Sequence, residues 1–100
     1  MESTNDSAGE NGFTSRPEEN RFEMAFDGGK VWADYARSGE VLSILHVEAE
    51  PQLRGSGAAG RFMAALGDHA RSQQLKLRPI CGYAAAWLRR HRDYHDVLAG

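Results

Sequence analysis

The chain has 100 residues, of which 41% are hydrophobic and 26% charged, with a formal net charge of −2 and one cysteine. That length holds a single domain with a modest core. No apolar run approaches the roughly 20 residues that cross a bilayer, and no basic-then-apolar leader marks export. Cys81 has no second cysteine for a disulfide or a zinc cage, so a cytoplasmic protein without a metal site is expected.

The small net charge conceals an asymmetry. Residues 1–20 carry Glu2, Asp6, Glu10, Glu18 and Glu19 against Arg16 alone, whereas Arg54 to Arg92 holds eight Lys/Arg against one acid, Asp68. A basic half can hold a polyanionic ligand or can be a solvated face. Nucleic acid is not the expected ligand, because no stacking aromatics or recognition motif accompanies the charge.

In chain order, residues 1–17 are Ser, Asn, Glu, Gly and Thr around one aromatic, Phe13. Such a stretch cannot bury enough surface to offset its ordering entropy and is expected to be a disordered leader, with the domain spanning 18–100. Arg21 to Phe26 alternates, with Phe22, Met24 and Phe26 on one face, which predicts a half-buried strand. Asp27-Gly28-Gly29 predicts a hairpin turn. Lys30 to Arg37 supplies its partner, with Val31, Ala33 and Tyr35 on one face. After Ser38-Gly39, Glu40 to Val47 is apolar at both parities, the pattern of a strand covered on both sides.

Ala58 to Gln73 places Ala59, Phe62, Met63, Leu66 and Ala70 at helical spacing. Gly60 and Gly67 fall inside this helix at about 1 kcal/mol each relative to alanine, and Gly60 is read as permitting close backbone approach to a ligand. Leu75 to Ile80 predicts a short strand parallel to the preceding one, and Tyr83 to His91 a second helix. The expected architecture is α+β, a mixed sheet in the order β-β-β-α-β-α.

Between the third strand and the first helix stands Pro51-Gln52-Leu53-Arg54-Gly55-Ser56-Gly57-Ala58-Ala59-Gly60-Arg61-Phe62. A glycine-rich turn feeding a helix exposes consecutive amides and the positive end of the helix dipole, a cradle for phosphate. Gly55-x-Gly57-x-x-Gly60 fits the dinucleotide fingerprint poorly, because five residues separate the strand from the first glycine and no acid follows in the next strand. Read as a P-loop, Gly55-x-x-x-x-Gly60-Arg61-Phe62 lacks the phosphate lysine and the magnesium hydroxyl. The bland alternative is a turn that merely starts a helix.

Gln52-x-x-Gly55-x-Gly57 also fits the (Q/R)-x-x-G-x-(G/A) loop of the GNAT-superfamily N-acetyltransferases. The chain from about Asn20 to Leu98 resembles the small single-domain YjdJ-type branch of that superfamily. The likeness is carried by Arg21-Phe22-Glu23, Tyr35, His46-x-Glu48, Leu53-Arg54-Gly55-x-Gly57, Pro79-x-Cys81 and Arg90-His91-x-x-Tyr94. Ala49-Glu50 stands where that family has an apolar residue and then proline. The resemblance implies a truncated acyl-CoA N-acyltransferase fold that takes acetyl-coenzyme A as co-substrate and transfers its acetyl group to an amine, small or on a protein lysine. It implies that Gln52, Leu53, Arg54, Gly55, Ser56, Gly57, Ala58, Ala59 and Gly60 hold the pyrophosphate. Val47 and Cys81 would then line the thioester arm.

Such a transfer needs a proton acceptor for the ammonium and a proton for the leaving thiolate. Glu48, near the end of the third strand, is the first candidate base; its alternative is a rim carboxylate or a salt-bridge partner for Arg54. His46 shares its side by strand period; its alternative is a hydrogen-bonded core histidine. Cys81 stands before the second helix, where a thiol can serve as nucleophile or acid, or can simply be structural. Tyr35, Tyr83 and Tyr94 are candidate acids or packing residues, and Trp32 and Trp87 read as packing. His91 and His95 lack a third ligand for a metal. A reading from another class is a non-catalytic module that binds acyl-CoA or a protein partner.

Overall fold

The computed structural model describes residues 12–99. Five strands form one sheet in sequence order: β1 (Phe13–Arg16), β2 (Arg21–Phe26), β3 (Gly29–Ser38), β4 (Val41–Ala49) and β5 (Lys76–Pro79). The first four run antiparallel, and β5 joins β4 in parallel after a crossover through helix α1 (Ala58–Gln73). Helix α2 (Gly82–Arg90) and a 3-10 segment at Arg92–Val97 complete the chain. The hairpin at Gly28-Gly29 and the turn at Gly39 stand where positive φ demands glycine.

The expected leader is corrected in part. Its residues 1–11 lie outside the described residues, but Phe13–Arg16 is an edge strand in register with β2, from Phe13↔Met24 to Arg16↔Arg21. The reason is Phe13 itself. Its ring is buried against Phe22, Phe62 and His69, with centroids 5.6, 5.9 and 5.4 Å away, so one aromatic anchors a segment whose composition is otherwise that of a loop.

Both helices contribute to a single core. Phe22, Met24, Val31, Ala33, Tyr35, Leu42, Ile44 and Leu77 from the sheet meet Phe62, Met63, Leu66, Ala70, Ala84, Trp87 and Leu88 from α1 and α2. The other sheet face is polar: Arg21, Trp32, Asp34, His46, Glu48, Lys76 and Arg78 stand on it, partly or fully exposed. The expectation that the central strand is covered on both sides is therefore corrected, since β4 is buried on one side only. On the open face Glu23 is buried beneath Arg16 and Lys30, at 3.0 and 3.4 Å, while Arg21 pairs with Asp34 at 2.9 Å.

The two helical glycines have packing reasons. A Cβ on Gly60 would stand 3.4 Å from Nε1 of Trp87, and one on Gly67 would enter the ring of Tyr94. Helix α1 thus lies closer to the C-terminal segment at Gly67 than a side chain would permit, while at Gly60 a Cβ would only come into contact with Trp87. Tyr94 is held there by Asp68 at 3.0 Å, with the guanidinium of Arg71 over its ring and bonded to Asp96 at 2.8 Å. The last described residue, Ala99, donates to the Leu77 carbonyl at 2.8 Å.

Candidate functional site

The strands β4 and β5 pair only from Val41↔Lys76 to Ile44↔Pro79. At that point the Ile44 carbonyl accepts from two amides, Ile80 and Cys81, each at 3.0 Å, and β5 turns into α2. Strand β4 continues to Ala49 paired with β3 alone, so the two strands part like a fork. The register shows why. Tyr35 faces Ile44 and Asp34 faces His46, which leaves Leu45 as the extra residue of a β-bulge.

The bulge shifts the phase of the strand. Before it Leu42 and Ile44 face the core; after it Val47 and Ala49 pack against the core, and His46 and Glu48 face solvent. Without the extra residue strict alternation would send His46 and Glu48 inward. The ladder also fixes the backbone. Glu50 N donates to Lys30 O at 3.1 Å, so by alternation Glu48 and His46 bond toward β3. The amide and carbonyl of Val47 consequently point into the fork.

Across the mouth of the fork lies the glycine loop, opened by a 3-10 turn at Pro51–Leu53. Its amides divide into two sets. Leu53 N bonds Glu50 O at 2.9 Å, Arg54 N bonds Pro51 O at 3.1 Å, Ser56 N bonds Leu53 O at 3.1 Å, and Ala58 N bonds Ser56 Oγ at 3.2 Å. Leu53 is itself buried. The amides of Gly55, Gly57, Ala59 and Gly60 have no acceptor among the described residues, and Arg61 N makes the first intrahelical bond, to Gly57 O. Gly55 and Gly57 have φ of +80° and +85°, the left-handed region where glycine is at no disadvantage. Four free amides at a helix N-terminus are an anion site in the making. The Arg61 guanidinium stands beside them, 5.4 Å above the ring of Phe26.

Gln52 lies instead against the β2–β3 turn, where a Cβ on Gly29 would stand 3.3 Å from its Nε2. Glu50 accepts from the Lys30 amide at 3.0 Å through Oε1, which closes the β3–β4 ladder where the resembled family carries proline.

The structure brings His46 and Glu48 together, Nε2 to Oε2 at 3.4 Å, with side chains 54% and 45% exposed. Glu48 therefore pairs with His46 and not with Arg54, and His46 is not a core histidine. Cys81 is half-buried at the N-cap of α2, where its carbonyl accepts from Ala85 N at 3.0 Å. Tyr83 stands two residues on; burial, and to a lesser degree the neighbouring Cys81, pushes its phenol up. Tyr35 is stacked on Phe22 at 4.6 Å in the core, and Tyr94 is held by Asp68, so neither serves the fork.

His91 Nδ1 bonds the Trp87 carbonyl at 2.7 Å and His95 Nε2 the Leu88 carbonyl at 3.1 Å, so both cap the end of α2. Among the described residues no group of three or more His, Cys, Asp or Glu is placed to hold a metal. No helix among them is long and apolar enough to cross a membrane.

Sequence reasoning missed Leu45 and the division of the loop amides. The one trace of the bulge in the letters is that apolar parity changes from even at Leu42 and Ile44 to odd at Val47 and Ala49.

The model of one protein family, described as GCN5-related N-acetyl-transferase, matches residues 21–97. Among solved structures, the chain is similar to the NMR structure of a GCN5-like protein from Staphylococcus aureus, itself a candidate N-acetyltransferase. The two share 24% identity with a TM-score of 0.61, over 92% of each chain. At that identity the likeness speaks to the fold. No curated protein matches the sequence.

Proposed function

Because the chain belongs to the GCN5-related N-acetyltransferase family, we propose that it transfers the acetyl group of acetyl-coenzyme A to an amine at the fork between β4 and β5. The observation that carries this reading is the set of amides at Gly55, Gly57, Ala59 and Gly60 that have no acceptor among the described residues, beside a strand edge that opens where β5 departs. The amides receive the diphosphate, with Arg61 adding a formal charge at the rim. The Val47 amide and carbonyl face the gap and suit the amide groups of the pantetheine arm, which is how an extended ligand adds to a strand edge.

The thioester end then lies near Ile44 and Cys81. An ammonium approaching from the open face meets Glu48 and His46, one of which removes a proton to free the amine. The amine nitrogen attacks the acetyl carbon, the C–N bond forms, and the C–S bond breaks with its electron pair going to sulfur. The nitrogen's remaining extra proton is released and the thiolate is protonated, giving the amide and free coenzyme A. Direct attack leaves Cys81 as a lining residue. Holding the reactants in line does most of the work in such a site.

A second reading, a module that binds acyl-CoA without turnover, is favoured by the exposure of His46 and Glu48. One experiment separates the two. Acetyl-CoA, but not NAD or ATP, raises the melting temperature under either reading, whereas only an enzyme releases free thiol when amines are added. No stabilisation by acetyl-CoA would overturn both.

A further inference from the structure

Among the described residues, the large apolar side chains left most exposed are Leu45, Ile80 and Tyr83, at 46%, 57% and 40%. A single exposed leucine is ordinary. These three are not scattered: Leu45 is the bulge residue, Ile80 donates its amide to the carbonyl just before that bulge, and Tyr83 stands in the first turn of the helix that follows. Leu45 and Ile80 thus stand on either side of the point where the strands part.

Their surroundings are charged in a definite order. Glu48 and His46 extend along β4 on the open face, with Asp34 opposite His46 on β3. On the other side Arg78, opposite Ser43 on β5, is exposed and carries a positive charge.

Resting on the transferase reading, we propose that the acceptor is a monoamine bearing an apolar substituent. Its ammonium lies towards Glu48, and its apolar group covers Leu45 and Ile80. A bulge could expose any residue; a leucine on one arm of the fork and an isoleucine on the other offer an unpolar footing to whatever reaches the thioester. Glu48 attracts one cation, and Arg78 repels a second on the same molecule. Diamines and hydroxylated amines are thereby disfavoured.

The test compares 2-phenylethylamine and leucine amide with ethanolamine and 1,4-diaminobutane, following thiol release at saturating acetyl-CoA. The apolar monoamines should show kcat/KM about tenfold or more above the other two. In Leu45→Ser/Ile80→Ser that preference should collapse while stabilisation by acetyl-CoA persists. Independently, Arg78→Glu should raise kcat/KM for 1,4-diaminobutane about tenfold. Equal use of all four amines by the unaltered protein, or a preference that survives in the double variant, overturns the acceptor assignment. Thiol release from none of them, with acetyl-CoA still bound, overturns it together with the transferase reading. Loss of acetyl-CoA stabilisation in the unaltered protein sinks the cofactor cradle instead.

Discussion

The imidazole of His46 holds Nε2 at 3.4 Å from Oε2 of Glu48, two residues apart on the solvent side of one strand. Pairs this exposed contribute at most about 1 kcal/mol to stability. Glu48→Gln and His46→Gln should therefore each leave stability within about 0.5 kcal/mol of the parent, while the one that removes the base lowers kcat by about a hundredfold. Urea titration and thiol release on the same preparations check both halves. Full turnover in both variants would exclude the pair as base.

Gly55 has φ of +80° and no heavy atom within 4 Å of where its Cβ would stand. Alanine there meets no steric obstacle from the protein, so its cost is the left-handed backbone alone, about 1–2 kcal/mol. A diphosphate lying on the free amide would meet the new methyl directly. Gly55→Ala should thus fold, melt a few degrees lower, and bind acetyl-CoA at least about tenfold more weakly. Isothermal titration calorimetry measures the second effect apart from the first.

Cys81→Ala should retain turnover, because the thiol is a half-buried residue at the start of α2 and direct attack does not require it. A loss of about a hundredfold or more with acetyl-CoA still bound would point to an acetyl-enzyme instead.

Much of the fold was legible in the letters because its strands and helices announce themselves locally. Period two over Arg21 to Phe26, the Gly28-Gly29 turn and helical spacing from Ala58 to Gln73 each reappear as elements. What was not legible depends on contacts distant in sequence. Phe13 is a strand residue only because Phe22, Phe62 and His69 are waiting for it. Leu45 is a bulge only because β3 is in register on both sides of it. The glycine loop was visible as a candidate cradle, yet which amides remain free follows from Ser56 and the turn at Pro51–Leu53 taking the others.

Acid should weaken the fold through Glu23. Burial raises its carboxyl, but the hydrogen bond from Arg16 and the charge of Lys30 outweigh that, and the net effect holds it below the usual carboxylate range. A depressed folded value means that the unfolded chain binds the proton more readily. The contribution is therefore present above the unfolded value of about 4.3 and lost as pH falls through the lower folded one. Stability measured from pH 6 down to about pH 3 should decline, and Glu23→Gln should flatten part of that decline.

Gly67→Ala should cost about 1–3 kcal/mol, because the added methyl enters the ring of Tyr94 and α1 must shift. Combined with Tyr94→Ala, the penalty should be smaller than the sum of the single changes, the mark of a direct clash. Additive losses would mean that the two act separately.

The single-residue offset at Leu45 gives β4 two separate occupations. Up to Ile44 the strand answers to the interior: Leu42 and Ile44 are sealed between α1, α2 and β5, and little can change there. Past it, where β5 no longer pairs, the inward positions Val47 and Ala49 are only partly buried. Mutational tolerance should consequently break sharply at one peptide bond. Libraries aimed at new acceptors can randomise position 45 without endangering the architecture, because the hinge between permanence and novelty is already built into the backbone.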